Sequence, residues 1–164
     1  MRLLRNYCQR TKHQYLAAGY NSRLDTMQAA ILQVKLRSLD EANRQRREIA
    51  ERYCELLHDS DLVLPAESGD GTHIYHLYVV QHERRDALMA HLNANGVQCG
   101  IHYPDPIHHT RPFRDVRTVP DGAPVSCQLA KRILSLPMYP GLTNEQIDRV
   151  AQEVLAFDAK LAVL

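Results

Sequence analysis

The sequence has 164 residues, of which 45% are hydrophobic and 24% are charged, and this composition is typical of a folded globular chain. Twenty basic and 19 acidic residues leave a net charge of +1, which excludes a strongly basic protein built to bind nucleic acid or anionic lipid. No apolar run reaches the roughly 20 residues that cross a bilayer, and the four cysteines contain no CxxC pair. We therefore expect a cytoplasmic protein with reduced thiols, no membrane association and no nucleic-acid partner.

The N-terminal third predicts a polar lead-in over residues 1–19, followed by one long linking helix within residues 20–64. That second stretch contains no glycine or proline, and its apolar residues recur at helical spacing. A continuous helix over 23–58 would be about 50 Å long, so we expect it to protrude, to break near the polar stretch 40–48, or to pack on something outside this chain. Asn21 and Ser22 are candidate caps for its start.

Residues 65–164 predict a small α/β domain in which short strands alternate with helices. Residues 68–71 predict a turn. The predicted strands lie at 73–80, 97–102 and 134–138, and the predicted helices at 84–95, at 127–133 and from Thr143 onward. Five prolines in residues 103–126 predict an extended loop between them.

The richest functional candidate is the loop 101–113, which combines imidazoles, a phenol and a guanidinium on a backbone stiffened by prolines. It suits recognition of a polar ligand, and the alternative is a solvated connector. Residues 20–23 pose a similar choice between a helix cap, which we favour, and an anion contact. The chain contains no GxSxG, GxGxxG or GxxxxGK motif, so we assign it no catalytic residue.

The histidines raise the possibility of a metal site. His73 and His76 would point to opposite faces of a strand, and His102, His108 and His109 lie in or beside the proline-rich loop with no cysteine near them in sequence. Zinc sites need three or four ligands held rigidly. We therefore assign no metal ligand. A metal-dependent enzyme built on these histidines is kept as one of three functional hypotheses.

Three separated motifs, in order, resemble signatures of the DegT/DnrJ/StrS aminotransferases. The motifs are Gly19-Tyr20-Asn21-Ser22-Arg23-Leu24-Asp25, Gly100-Ile101-His102-Tyr103-Pro104 with Ile107-His108, and Leu134-Ser135-Leu136-Pro137-Met138-Tyr139-Pro140-Gly141. These enzymes are sugar aminotransferases of fold type I that use pyridoxal 5'-phosphate (PLP). The resemblance implies the small C-terminal domain of such a protein, an α/β (α+β) fold with a long helix, a short and mostly antiparallel sheet, and further helices.

The resemblance also implies a large N-terminal domain that carries the Schiff-base lysine and lies upstream of Met1. Only four lysines are present in this sequence, and Lys12 falls past the family's lysine position. PLP is thus implied as cofactor but is not bound covalently by this chain. By motif match, Asn21 reaches the cofactor phosphate of the other subunit of a homodimer, and Arg23 is a substrate contact.

The loop residues His102, Tyr103 and His108 are implied to line the sugar-nucleotide side of the pocket. The sequence departs from the family pattern at two places. Tyr7-Cys8 stands where His-Gly is usual, and Cys127 stands where an acidic residue is common. The first departure affects the path of the lead-in, and the second affects a helix start.

The reaction implied for an intact relative moves an amino group from an amino acid, commonly glutamate, onto a keto-sugar nucleotide. We expect this chain to be a fragment or truncated product that is inactive alone. The alternative is a non-catalytic dimerisation or regulatory module, because the apolar stripe of the long helix needs a partner.

Overall fold

The computed structural model describes residues 1–67, 69, 71–115 and 122–161, with the backbone alone described at Leu161. The predicted turn at 68–71 and the predicted loop 103–126 therefore lie partly outside the described residues. The chain divides into two compact units, Met1–Asp40 and Glu41–Leu164, and each is described by itself.

The first unit contains a small hairpin and one helix. Strand β1 (Gln9–Thr11) pairs antiparallel with β2 (Gln14–Tyr15), and helix α1 covers Thr26–Leu36. The hairpin was not predicted, because its strands are only three and two residues long and carry no alternating apolar pattern. None of the residues of α1 is buried.

The predicted long helix is present as two helices, α1 and α2 (Leu39–Leu57). The interruption falls at Arg37 and Ser38, upstream of the polar stretch 40–48 where a break was anticipated. The Ser38 amide and hydroxyl both donate to the carbonyl of Lys35, and the Arg37 amide donates to that of Val34. These tight i to i−3 bonds close the last turn of α1 and end it.

The second unit is built on a two-stranded antiparallel sheet of β3 (Tyr78–Gln81) and β4 (Ile133–Leu136). Helices α2, α3 (Arg85–Ala94), α4 (Pro124–Arg132) and α5 (Asn144–Leu161) complete it. Two 3₁₀ turns, Ile107–His109 and Arg111–Phe113, lie in the proline-rich loop. The predicted α+β class and the antiparallel sheet are confirmed. No helix among the described residues is both long and apolar enough to cross a membrane.

The core of the second unit lies between one face of the sheet and the apolar stripes of its helices. Tyr53 of α2 is fully buried, stacks at 4.9 Å between ring centroids on Tyr78 of β3, and donates its hydroxyl to the carbonyl of Pro137 at 3.0 Å. Helix α5 starts with a capping box, in which Thr143 and Gln146 exchange two hydrogen bonds. The residues that α5 buries are Ile147, Val150, Ala151, Val154 and Phe157.

Two predicted strands differ from the structure. Residues 73–77 are not a strand, because His73 Nδ1 accepts the Tyr75 amide at 2.9 Å and Tyr75 takes a left-handed φ of 47°. Residues 97–102 make only one bridge to β4, between Gly100 and Ser135. The alternation argument for His73 and His76 therefore does not apply.

Candidate functional site

In the first unit, the segment that carries Asn21 runs beside residues 4–7. Asn21 forms an antiparallel bridge with Asn6. Three backbone hydrogen bonds of 2.7–2.9 Å flank it, from Tyr20 to Leu4, from Tyr7 to Tyr20 and from Ser22 to Arg5. The lead-in thus holds the Asn21 backbone in place while its side chain stays exposed.

Gly19 makes this close approach possible. A Cβ at position 19 would lie 2.2 Å from the backbone nitrogen of Cys8 and 2.4 Å from the carbonyl carbon of Tyr7. Real side chains do not tolerate such distances to backbone atoms, so only glycine fits. The same two lead-in residues, Tyr7 and Cys8, have φ values of 57° and 51°, a left-handed conformation that glycine adopts most easily. Cys8, which stands where glycine is usual in the family, thus has a backbone conformation that favours glycine.

The cap predicted at Asn21 or Ser22 was wrong. The residue that caps α1 is Asp25, whose Oδ1 accepts from the amides of Met27 at 2.9 Å and Gln28 at 3.3 Å. A carboxylate here also carries charge that complements the helix N-terminus, which an amide lacks. The side chain of Asn21 is therefore not used as a cap.

Asn21 instead contacts Arg23. The Arg23 Nε donates to Asn21 Oδ1 at 3.4 Å, and the Arg23 guanidinium lies 5.8 Å from the centroid of the Tyr7 ring. This contact uses the amide oxygen of Asn21, the one acceptor on the two side chains. The amide N–H groups of Asn21 and the other guanidinium N–H groups of Arg23 are not used in this contact. Both kinds of donor suit an anion such as a phosphate.

In the second unit, His102 is attached to β4 through Ser135. The His102 Nδ1 lies 2.9 Å from the Ser135 Oγ, and Ser135 is only 5% exposed. Leu134 and Leu136 face the core, so the Ser135 side chain lies on the opposite face of β4. The Ser135 amide and carbonyl bond the backbone of Gly100 alongside the strand. A Cβ on Gly100 would meet His102 Cε1 at 2.9 Å, so the imidazole lies directly over this glycine.

Tyr103 follows His102 with its ring in edge contact, the two centroids being 5.6 Å apart. The phenol ring is 73% exposed and Ile107 is 72% exposed. This part of the loop therefore presents an imidazole, a phenol and an apolar side chain to its surroundings, which fits contact with a polar and partly apolar ligand.

His108 lies in the first 3₁₀ turn of the loop, beside His109 and close to Cys127 of α4. The Cys127 Sγ is 3.6 Å from the Nε2 of His108 and 3.8 Å from that of His109. Cys127 lies within α4 rather than at its start, because the helix begins at Pro124. His108 and His109 lie 19 and 18 positions before Cys127, so the sequence did not indicate that these three side chains are close together.

The four lysines, Lys12, Lys35, Lys131 and Lys160, are all exposed. A lysine that reacts with a carbonyl must lose its proton near neutral pH, and burial or a neighbouring cation usually brings this about. All four side chains are exposed, and the absence of the reactive lysine from this chain stays a prediction.

Comparison with known proteins identifies the family. The sequence pattern of the DegT/DnrJ/EryC1/StrS aminotransferase family matches residues 1–155. The chain belongs to this family. It is 38% identical over 154 residues to a dTDP-3-amino-3,6-dideoxy-alpha-D-galactopyranose transaminase of Aneurinibacillus thermoaerophilus, a match that covers 94% of this chain and 42% of that relative.

Two other comparisons agree on the family and on the partial coverage of its members. The erythromycin biosynthesis sensory transduction protein EryC1 of Saccharopolyspora erythraea is 42% identical, over 92% of this chain and 41% of that relative. The crystal structure of S. venezuelae DesV superposes with a TM-score of 0.89 at 37% identity, over 96% of this chain and 43% of that one. The chain thus spans about two-fifths of the length of the curated relatives it matches.

Proposed function

We propose that this chain is the C-terminal part of a PLP-dependent aminotransferase that moves an amino group from an amino acid, with glutamate expected, to a keto-sugar nucleotide. The family match over residues 1–155 carries this proposal. Several relatives in the family are named as transaminases of nucleotide sugars, including UDP-N-acetyl-3-dehydro-alpha-D-glucosamine 3-aminotransferase of Acidithiobacillus ferrooxidans at 40% identity. The reactive lysine then belongs to the remaining part of the enzyme, and this chain alone is inactive.

PLP, when bound, supplies an electron-withdrawing ring that carries the amino group between donor and acceptor. The donors of Asn21 and Arg23 fit its negatively charged phosphate and the charged groups of a substrate. In this proposal Asn21 holds the cofactor phosphate of the partner subunit in a homodimer, and Arg23 contacts substrate.

His102, Tyr103 and His108 line the sugar-nucleotide side of the pocket in this proposal. The hydrogen bond of His102 to Ser135 supports its role, because it limits the imidazole to one orientation before a ligand arrives. The exposed ring of Tyr103 supplies a flat surface and a hydroxyl for a nucleotide or a sugar. We place the assembled enzyme in the cytoplasm, where PLP and nucleotide sugars are available.

The second candidate is a non-catalytic dimerisation or regulatory module. Its support is α1, whose large apolar side chains are all exposed in the first unit: Met27, Ile31, Leu32, Val34 and Leu36. An apolar surface of this kind needs a covering partner. Both candidates use such a partner, but only the first requires that the assembled protein bind PLP.

A chimera distinguishes them. The chimera is built on the dTDP-3-amino-3,4,6-trideoxy-alpha-D-glucose transaminase of Streptomyces venezuelae, a relative that is 37% identical to this chain. The 164 residues of this chain replace the corresponding C-terminal part of that relative. We expect the chimera to bind PLP and to transfer the amino group of glutamate to a keto-sugar nucleotide. Asn21→Ala should weaken PLP binding about tenfold or more, because a hydrogen bond to a charged group contributes about 1.5–3 kcal/mol.

The matched control is Ser22→Ala, which removes the neighbouring exposed side chain and should leave PLP affinity unchanged. A folded chimera that binds no PLP contradicts the proposal and favours the non-catalytic module. An Asn21→Ala chimera with unchanged PLP affinity contradicts the role of Asn21 alone.

A further inference from the structure

Two histidines and a cysteine of the second unit, His108, His109 and Cys127, converge on one point. One ring nitrogen of His108, one ring nitrogen of His109 and the Sγ of Cys127 all lie within 4.8 Å of one another. We call these three residues the His–His–Cys cluster. Their combination of imidazole nitrogens and a thiolate is a ligand set that zinc prefers.

The two sulfur-to-nitrogen distances in the cluster match those of a zinc site. Bond lengths of about 2.3 Å to sulfur and 2.0–2.1 Å to nitrogen, at a tetrahedral angle, place the two ligand atoms about 3.6 Å apart. The observed distances from Cys127 Sγ are 3.6 Å to His108 Nε2 and 3.8 Å to His109 Nε2. These two sulfur-to-nitrogen distances therefore already suit an ion bound between Cys127 and the imidazoles.

Local structure holds each ligand. The 3₁₀ turn of the two histidines is closed by backbone bonds from His109 to Pro106 at 2.9 Å and from Thr110 to Ile107 at 3.0 Å, and the Thr110 hydroxyl also bonds Ile107 at 2.6 Å. Cys127 is bonded in the first turn of α4 through its amide. His108 and Cys127 are half-buried and His109 is exposed, so an ion has access from solvent.

We propose that the His–His–Cys cluster binds one Zn²⁺ through three protein ligands, with water in the fourth position. Binding displaces the thiol proton of Cys127, because the thiolate is the metal ligand. The ion would connect the loop 101–113 to α4 and thereby restrict the segment that carries His102 and Tyr103. The proposal shares His108 with the proposed sugar-nucleotide pocket, but it does not rest on the proposed function, since zinc binding requires neither PLP nor a sugar nucleotide.

The test is zinc binding by the 164-residue chain, prepared without a histidine tag and stripped with chelator. Titration against a chromophoric zinc indicator gives the dissociation constant, and we expect a stoichiometry of one and a value below about 1 µM. Cys127→Ser and His109→Ala should each weaken zinc binding at least about tenfold. Loss of a residue that only hydrogen-bonds to a metal ligand already weakens metal binding by about that factor, so loss of a ligand should weaken it at least as much. Cobalt in place of zinc should show a thiolate-to-metal charge-transfer band that Cys127→Ser abolishes.

The matched controls are Cys99→Ala and His76→Ala, which remove a cysteine and an exposed histidine of the same unit from outside the cluster. Circular dichroism is used to check that each variant retains its helices. Binding that is lost in the cluster variants and retained in the controls supports the site. Binding weaker than about 10 µM, or equal in Cys127→Ser and the unchanged chain, overturns it.

Discussion

The imidazole of His102 and the hydroxyl of Ser135 lie 2.9 Å apart, and this contact joins a candidate substrate-binding residue to strand β4. Ser135 is buried on the face of the strand that points away from the core, so its hydroxyl is available to one neighbour rather than to bulk water. The orientation of His102 thus depends on a residue that does not itself reach a ligand.

Removing the Ser135 hydroxyl should weaken substrate binding without affecting the cofactor. In the chimera, Ser135→Ala should raise KM for the sugar nucleotide by about three- to tenfold, because one hydrogen bond contributes about 1 kcal/mol. PLP absorbance should stay unchanged. Ser126→Ala, an exposed serine of α4, serves as the control, and an unchanged KM in Ser135→Ala would show that His102 does not depend on this contact.

Gly19→Ala should loosen the segment that carries Asn21. Its new methyl group would collide with backbone atoms of Tyr7 and Cys8 that cannot rotate away. We expect hydrogen-exchange protection of the Tyr20 and Ser22 amides to fall at least about tenfold. Gly71→Ala is the control, because a Cβ there meets nothing within 4 Å. Equal protection in both variants would show that the approach of residue 19 to the lead-in is not constrained.

The ion pair between Arg52 of α2 and Asp148 of α5 should contribute to the stability of the second unit. Arg52 donates to both carboxylate oxygens, at 2.6 Å and 2.8 Å, and both side chains are about two-thirds buried. Asp148→Asn should lower the free energy of unfolding by about 1 kcal/mol, less at high salt. Glu41→Gln alters an exposed pair with Arg44 and should have no measurable effect. Equal stability of the two variants in urea would contradict this.

Alkaline pH should destabilise the second unit through Cys99. Burial raises the pKa of this thiol from 9.0 to about 11. Between these values the unfolded chain has lost the thiol proton while the folded chain keeps it, so stability falls as pH rises, by at most about 1.4 kcal/mol per pH unit. Below pH 9 the thiol contributes no pH dependence. The measurement is urea unfolding from pH 7 to 11, with Cys99→Ala for comparison.

The buried tyrosines also ionise at high pH, and burial raises the pKa of Tyr75 to about 12. The comparison with Cys99→Ala removes their contribution, because both proteins contain them. We expect the stability curves to diverge above pH 9, with the unchanged chain losing more. Parallel curves between pH 9 and 11 would show that the Cys99 thiol is not shielded from solvent.

Much of the second unit was predictable because its helices bury periodic apolar stripes. The capping box at Thr143 and the stripe of α5 both marked that helix in the sequence. The end of α1 was not predictable, because Arg37 and Ser38 are not strong helix breakers. The loss of the strand at 73–77 depends on a local bond from Tyr75 to His73, which strand propensity does not reveal.

The candidate site was predictable only where a motif was contiguous. Asn21 and His102 were identified by resemblance, but their partners came from the structure. The use of Asp25 and not Asn21 as the helix cap depends on the residue at which α1 begins. The approach of Cys127 to two histidines depends on how the backbone turns between positions far apart in sequence. Spacing along the chain carries no information on such contacts.

The most direct test is reduction of PLP-treated protein with borohydride, followed by intact mass and peptide mapping, on the chain alone and on the chimera. We expect one stoichiometric pyridoxyl-lysine in the chimera, located in the part taken from the relative. Lys12, Lys35, Lys131 and Lys160 should show only scattered partial labelling. A single stoichiometric adduct on one of those four lysines, in the chain alone, would contradict the account and show a self-contained PLP site.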